Sequence, residues 1–147
     1  MLSVSGLEAF YGESHILHGI DFEVGAGRRA AVLGRNGAGK STFLKSIMNA
    51  GPRPKGKVVW NGVDLEGMPS HARARLGLCL VPEDRRIFSH LTVLENLEMA
   101  RYAMPRGSKP LDAREVLAQF PMLVPLEKRL GDQLSGEIGR ASCRERV

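Results

Sequence analysis

A glycine-rich loop near the N-terminus constrains this chain more than any other feature of its sequence. Residues 34–42 read GRNGAGKST, which fits the pattern G-x-x-x-x-G-K-[S/T]. A short, mostly apolar run, Arg29–Leu33, precedes the loop and is typical of a buried parallel strand. After the loop, Phe43 and Ile47 lie four residues apart, which predicts a helix over Lys40–Asn49. A strand before the loop and a helix after it are the context that a phosphate-binding loop requires.

The residue types of the loop suit a nucleoside triphosphate. Glycines let the backbone wrap around a phosphate with its N–H groups pointing inward, and the following helix adds the positive end of its dipole. Lys40 can reach the β- and γ-phosphates, the Ser41 hydroxyl can bind Mg²⁺, and Thr42 is placed near the α-phosphate. The loop alone predicts nucleotide binding and does not separate kinases, GTPases and transport ATPases.

The rest of the chain alternates predicted strands with predicted helices, which indicates an α/β domain. Strands are predicted at Leu2–Phe10, Ile16–Val24, Lys57–Trp60 and Leu78–Val81. A Pro/Gly connection is expected over Gly51–Gly56, and a hairpin turn at Asn61-Gly62. A short helix is predicted over Ser70–Leu76. A second helix is predicted from Val93 to about Tyr102, because Thr92 and Glu95 match a capping box. A third is predicted to begin at the cap Asp112 and to end at Pro121.

Composition and charge exclude several classes of protein. The net charge of +5 is scattered along the chain, so no nucleic-acid groove is predicted. No apolar run approaches the ~20 residues of a membrane-spanning helix, and Met1–Phe10 does not resemble a secretory signal. A cytoplasmic protein is therefore expected, peripheral if it works at a membrane. Cys79 and Cys143 suggest neither a disulfide framework nor a metal site, and Cys79 is expected to be buried.

Three features together resemble the ATPase subunits of ABC transporters. The loop has the form common in that family, and Tyr11-Gly12 lies upstream, where the family has an aromatic residue that stacks on adenine. Leu134-Ser135-Gly136 lies where the family's LSGGQ signature begins. The resemblance implies an incomplete P-loop NTPase nucleotide-binding domain over residues 1–136: a RecA-like core, an N-terminal antiparallel β subdomain and a helical subdomain.

A finer resemblance points to the ATPases of branched-chain amino-acid importers, in particular their LivF-type subunits. It lies in VPEDRRIF at residues 81–88 and LTVLENL at residues 91–97. LivF-type subunits have Glu at the position of Glu83, where most ABC ATPases have Gln, and this chain departs from their pattern with Asp84 in place of Gly. By this resemblance Glu83 approaches Mg²⁺ and the attacking water, and its loop moves with the region that touches the membrane subunit.

The family's architecture also implies partners and a complete set of site residues. Two subunits would sandwich two ATP molecules, with Ser135 and Gly136 of one facing the γ-phosphate held by Lys40 of the other, on the inner face of the membrane beside permease subunits. Lys40 and Glu83 are the predicted catalytic residues, and Ser41 and Glu83 the predicted Mg²⁺ ligands. The predicted nucleotide contacts are Tyr11, Gly34, Asn36, Gly37, Ala38, Gly39, Lys40, Ser41, Thr42, Ser135 and Gly136.

Three alternatives to this prediction remain open at the level of the sequence. One is an ABC importer ATPase for urea or other amides, because the solute is selected by other subunits. Another is a soluble ABC ATPase without a membrane partner, although such proteins usually have tandem domains or long insertions. The third is a P-loop kinase or GTPase, against which Tyr11, Glu83 and the signature residues argue.

The last eleven residues, 137–147, do not continue the family's signature. Their sequence, EIGRASCRERV, resembles the translation of a common short-read sequencing adaptor, whose next codon would be a stop. We therefore expect residues 137–147 to be non-native. The family's Mg²⁺-binding Asp, catalytic Glu and switch His follow the signature and are not in this sequence. The 147-residue chain itself is accordingly expected to bind nucleotide without turning it over.

Overall fold

The computed structural model of this chain describes residues 1–83, 87–104, 107, 109 and 112–134. Contacts divide the chain into two units, Met1–Arg73 and Ala74–Val147, which we call the sheet unit and the helical unit. The part described contains no helix long and apolar enough to cross a membrane. Residues 135–147 lie outside it, so the predicted boundary after residue 136 stays a prediction.

The sheet unit contains four antiparallel strands in the order β2-β1-β3-β4. The strands are β1 (Leu2–Tyr11), β2 (Ser14–Val24), β3 (Arg53–Trp60) and β4 (Val63–Asp64). The first two predicted strands and the hairpin turn at Asn61-Gly62 are confirmed. The expected connection over Gly51–Gly56 is partly wrong, because β3 already begins at Arg53. β4 pairs only with Val59 and Trp60 of β3, so Pro54 lies in the part of β3 that β4 does not cover.

Two glycines approach each other closely where the register of the sheet shifts. The pairing of β1 with β3 shifts register between Ser5 and Glu8, and Gly6 lies in that interval with φ +57°. On β3, Gly56 has φ +99°, and a Cβ built on it would overlap the Gly6 carbonyl oxygen and lie 2.8 Å from the carbonyl carbon. Only glycine fits here without displacing backbone. After the irregularity, Leu7 and Ala9 are again fully buried.

One helix, α1 (Lys40–Ile47), packs against the first three strands. Its Phe43 ring meets Phe22 of β2 edge to face, with ring centroids 5.3 Å apart. The helix ends two residues earlier than predicted, because Asn49 adopts the left-handed conformation with φ +51°. The buried apolar residues of the sheet unit come from the strands, from α1 and from the residues directly after α1 and β4: Leu2, Val4, Leu7, Ala9, Leu17, Phe43, Ile47, Met48, Val58 and Leu65.

Two predicted strands are absent from the structure. Arg29–Leu33 and Leu78–Val81 form no regular secondary structure. Leu33 is 88% exposed, and Cys79 is exposed rather than buried. A strand exists only through hydrogen bonds to a neighbour, and no strand pairs with either segment in the described part of the chain. Apolar sequence alone therefore did not determine structure at these two segments.

The predicted helices of the second half are present, with shorter bounds. Helix α2 (Ser70–Arg75) matches its prediction closely. The α-helix α3 (Val93–Glu98) continues only as a 3-10 turn over Met99–Ala103, and α4 (Ala113–Ala118) begins at the predicted cap Asp112. Short 3-10 turns at Val124–Leu126 and Gly131–Gln133 complete the described helical structure.

The helical unit has its own apolar core. Helices α3 and α4 bury one cluster, with Val93, Leu97, Leu117, Leu123 and Leu134 at its centre. Backbone hydrogen bonds fasten the start of α3 to the segment before Leu134: the Val93 N–H donates to the Arg129 carbonyl at 3.0 Å, and the Gly131 N–H donates to the Leu91 carbonyl at 2.9 Å. The segment that ends at Leu134 is therefore held in the helical unit by both side chains and backbone.

Candidate nucleotide-binding site

Glycines shape the loop before α1. Gly37 and Gly39 have φ values of +83° and +88°, in the left-handed region that favours glycine. Gly39 is the N-cap of α1 without a side-chain cap, so the first N–H groups of the helix are left for another acceptor. A Cβ built on Gly39 would lie 2.8 Å from the Leu17 side chain, so β2 presses directly against the start of the helix.

The Lys40 side chain folds back over the loop. Its ammonium donates hydrogen bonds to the carbonyl oxygens of Gly34 at 2.8 Å and Arg35 at 2.7 Å. The Ala38 N–H donates to the Arg35 carbonyl at 3.2 Å and closes the turn between them. One full positive charge is thus held inside the loop, next to the positive end of the α1 dipole.

This donor set fits a phosphate chain with a hard cation. The helix start offers N–H groups, Lys40 offers an ammonium, and Ser41 has an exposed hydroxyl beside them. No group of three or more His, Cys, Asp or Glu side chains within the described ranges could hold a metal ion. Since Mg²⁺ is usually bound in proteins by one or two side chains together with substrate phosphates, Ser41 suits a cation that arrives with the nucleotide.

Tyr11 lies near the loop through the strand pairing. It ends β1 opposite Ser14, and its side chain is 43% exposed. Ala9, two residues earlier, pairs with Leu17, the residue packed against Gly39. Two residues of strand span about 7 Å, so the Tyr11 backbone lies that far along β1 from the strand pair that contacts the start of the helix. An exposed aromatic residue at this end of β1 suits contact with a base.

The remaining predicted site residues belong to the helical unit. Glu83 is exposed at a bend, whereas Asp84, Arg85 and Arg86 lie outside the described residues. Leu134, the first residue of the predicted signature, is buried in the apolar cluster, and Ser135 and Gly136 also lie outside the described part. The sequence prediction did not anticipate that Leu134 serves as a core residue.

The sequence analysis missed two buried polar residues. Arg73 is 3% exposed, and its guanidinium donates to the carbonyls of Ser46, Ile47, Leu65 and Met68 at 2.6–3.4 Å. Burial lowers the pKa of Arg73 below its ordinary range by desolvating the charge. Nothing in its local sequence distinguishes Arg73 from the exposed Arg75 two residues later.

The second missed residue, Asn96, is also 3% exposed. Its side-chain oxygen accepts from the Phe88 N–H at 2.9 Å, and its amide nitrogen donates to the carbonyls of Phe88, Leu91 and Thr92 at 3.0–3.2 Å. Asn96 thereby fixes both backbone groups of Phe88, five residues after Glu83. The position of Asn96 inside a predicted helix gave no sign of these contacts, since the partner at Phe88 precedes the helix.

Comparison with known proteins assigns a family to this arrangement. The sequence profile of the ABC transporter family matches residues 17–140, most of the chain. The chain belongs to the ABC transporter family. A solved structure of the ATP binding subunit of an ABC transporter superposes with a TM-score of 0.75 at 26% identity, covering 100% of this chain and 61% of that one. The predicted ABC-type ATP-binding fold is therefore confirmed, in the incomplete form described above.

Two curated relatives are similar over nearly the whole chain. The high-affinity branched-chain amino acid transport ATP-binding protein BraG of Pseudomonas aeruginosa is 37% identical over 147 residues, covering 96% of this chain and 63% of its own length. The probable branched-chain amino acid transport ATP-binding protein LivF of Archaeoglobus fulgidus is 38% identical over 136 residues, covering 92% and 58%. The chain thus spans about three fifths of the length of these relatives.

Proposed function

We propose that the chain binds ATP with Mg²⁺ at the loop 34–42, as part of an ATP-hydrolysing subunit of an ABC importer. The observation that carries this proposal is the placement of the Lys40 ammonium. Two carbonyls of the loop hold it beside the uncapped start of α1, so a lysine charge and helix N–H groups converge on one small region. That combination binds phosphate in the P-loop proteins.

Each side chain of the site has a definite role in this proposal. Lys40 neutralises the β- and γ-phosphates, Ser41 holds Mg²⁺, and Tyr11 stacks on the adenine. The loop residues Gly34, Asn36, Gly37, Ala38, Gly39 and Thr42 supply the cradle. In the intact subunit Glu83 aids the transfer of the γ-phosphoryl group to water, a reaction governed mainly by positioning and charge neutralisation.

The proposed partners and solute follow from the relatives. BraG and LivF are both described by their names as branched-chain amino acid transport ATP-binding proteins, which supports the same role for the protein to which this chain corresponds. The proposal includes a second ATPase subunit, whose nucleotide faces Ser135 and Gly136, and permease subunits at the inner face of the membrane. Neighbouring genes for a permease and a periplasmic binding protein would support this role, and their absence would favour a non-transport ABC ATPase.

Calorimetric titration of the chain with Mg-ATP tests the binding site directly. We expect Lys40→Ala to weaken binding at least about tenfold, because it removes a charged donor worth about 1.5–3 kcal/mol. Lys45→Ala is the matched control, since Lys45 lies in the last turn of the same helix, away from the loop. Equal affinity in the two variants would refute the site.

A further inference from the structure

The far end of α1 is held by a buried cation. Ser46 and Ile47 are the last two residues of α1, and their carbonyl oxygens accept hydrogen bonds from the same guanidinium nitrogen, Nη1 of Arg73, at 3.4 and 2.6 Å. The last carbonyls of a helix have no partner inside it and form the negative end of its dipole. Arg73 therefore supplies a donor to each of these carbonyls, of which that of Ser46 also accepts from the Asn49 N–H at 3.0 Å, and a charge of the favourable sign.

The same side chain attaches this helix end to the segment after β4. Arg73 Nη2 donates to the Leu65 carbonyl at 2.7 Å, and Nε donates to the Met68 carbonyl at 2.9 Å. All three guanidinium nitrogens are thus used, on two separate pieces of backbone. The planar fork of arginine makes such divergent contacts possible, whereas a lysine ammonium is a single point donor.

The contacts of Arg73 indicate a structural role in addition to neutralising the helix dipole. Within the described residues Arg73 donates to backbone carbonyls and to no carboxylate, so no ion pair among them offsets the desolvation of the guanidinium. What the burial achieves is a fixed position for the end of a helix eight residues long. Such a helix spans only about 12 Å, so a tilt at the Arg73 end moves the loop at the other end.

We propose that Arg73 is a positioning residue for the phosphate loop: it clamps the C-terminal end of α1 to the segment 65–68, so that Lys40 and the helix N–H groups meet the phosphates in a fixed place. The hydrogen-bond acceptors of Arg73 among the described residues all lie outside the loop. The inference rests on the proposed nucleotide site for its functional consequence, but the clamp on the helix does not depend on that site.

Hydrogen exchange of the chain without nucleotide tests the clamp. We compare Arg73→Met, Arg73→Lys and, as a matched control, Arg75→Met, which removes an exposed arginine from the same short helix. Lysine can be accommodated because it is no larger than arginine and keeps the positive charge. We expect the amides of α1 to exchange about tenfold faster in Arg73→Met than in the control, and by an intermediate amount in Arg73→Lys.

Titrations with Mg-ATP and Mg-AMP, at a temperature where circular dichroism shows all variants folded, test the consequence for the site. We expect Arg73→Met to weaken ATP binding about three- to tenfold and AMP binding by a smaller factor, because the loop and the helix start hold mainly the outer phosphates. Arg73→Lys should restore part of the lost ATP affinity. Equal loss for both nucleotides would indicate general damage and overturn the proposal.

The two measurements separate the possible failures. Exchange in α1 that is the same in Arg73→Met and Arg75→Met overturns the clamp. A wild-type chain that does not bind ATP overturns the proposed function alone, since the exchange experiment needs no nucleotide. If Arg73→Met does not fold, Arg73→Lys decides: α1 exchange equal to that of the control overturns the clamp, and faster exchange with weaker ATP binding supports it.

Discussion

Arg73 in the sheet unit and Asn96 in the helical unit are buried side chains that each bind several backbone groups, and they differ in charge. Arg73, a cation, binds four carbonyls, two of them at the end of α1. Asn96, a neutral amide, binds three carbonyls and one N–H around the turn before α3. A charge is stabilised where a helix end provides a negative potential, whereas an amide matches a turn that presents both donors and acceptors.

The two units also differ in the kind of substitution that their packing tolerates. In the sheet unit two strands approach through Gly6 and Gly56, with no room for a side chain. In the helical unit the elements meet through apolar side chains, and helix caps define where α3 and α4 begin. The sheet unit should therefore be sensitive to added atoms, and the helical unit to lost hydrogen bonds.

The largest effect is expected for Gly56→Ala. The new methyl group would overlap the Gly6 backbone and add strain at φ +99°, so we expect a loss of about 3 kcal/mol or more in the free energy of unfolding, measured in urea. Gly62→Ala is the control, because Gly62 has φ +82° with open space around it, and should cost about 1 kcal/mol. Similar losses in both variants would mean that the close approach is unimportant.

In the helical unit, Asn96→Leu should cost about 2 kcal/mol, since it keeps the volume but leaves the Phe88 N–H and three carbonyls without their partner. Gln119→Leu alters an exposed amide of the same unit and should change stability by less than about 0.5 kcal/mol. Chemical denaturation of the two variants side by side checks this. If Asn96→Leu loses no more stability than Gln119→Leu, the backbone contacts of Asn96 do not stabilise the helical unit, and the comparison with Arg73 fails.

A smaller effect is expected at the cap of α3. The Thr92 hydroxyl accepts from the Glu95 N–H at 3.2 Å, and Thr92→Ala should cost about 1 kcal/mol of stability. Thr92→Ser retains the hydroxyl and should recover most of that loss. Thermal unfolding of the three proteins provides the comparison, and a serine variant as unstable as the alanine variant would assign the effect to the lost methyl group instead.

The smallest effect concerns pH. The Thr92 backbone N–H, and then its hydroxyl, donate to the Glu95 carboxylate and lower its pKa from the ordinary value of 4.5. A carboxyl whose pKa is lowered by folding stabilises the folded state above its unfolded pKa and loses that contribution as the pH falls through the folded pKa. We expect the stability gap between wild type and Glu95→Gln to be present at about pH 6 and to shrink towards about pH 3. An unchanged gap across that range would contradict the assignment.

Local features of the sequence predicted much of this structure. The loop at Gly34–Thr42, the capping box of Thr92 and Glu95, the cap at Asp112 and the turn at Asn61-Gly62 depend on residues close together in the chain, so pattern reasoning found them. The family, too, could be identified from short motifs at the right positions. The roles assigned to the site residues remain predictions until binding is measured.

Only the tertiary structure decided the features that join distant parts of the chain. The apolar segments Arg29–Leu33 and Leu78–Val81 resemble strands, yet a strand also needs a neighbour, and the pairing of β1 with β2 and β3 gives them none. The same holds for the glycine-rich loop. Its sequence predicts what it can bind, whereas its position depends on Leu17 packed against Gly39 and on Arg73 at the far end of α1, contacts that no local pattern encodes.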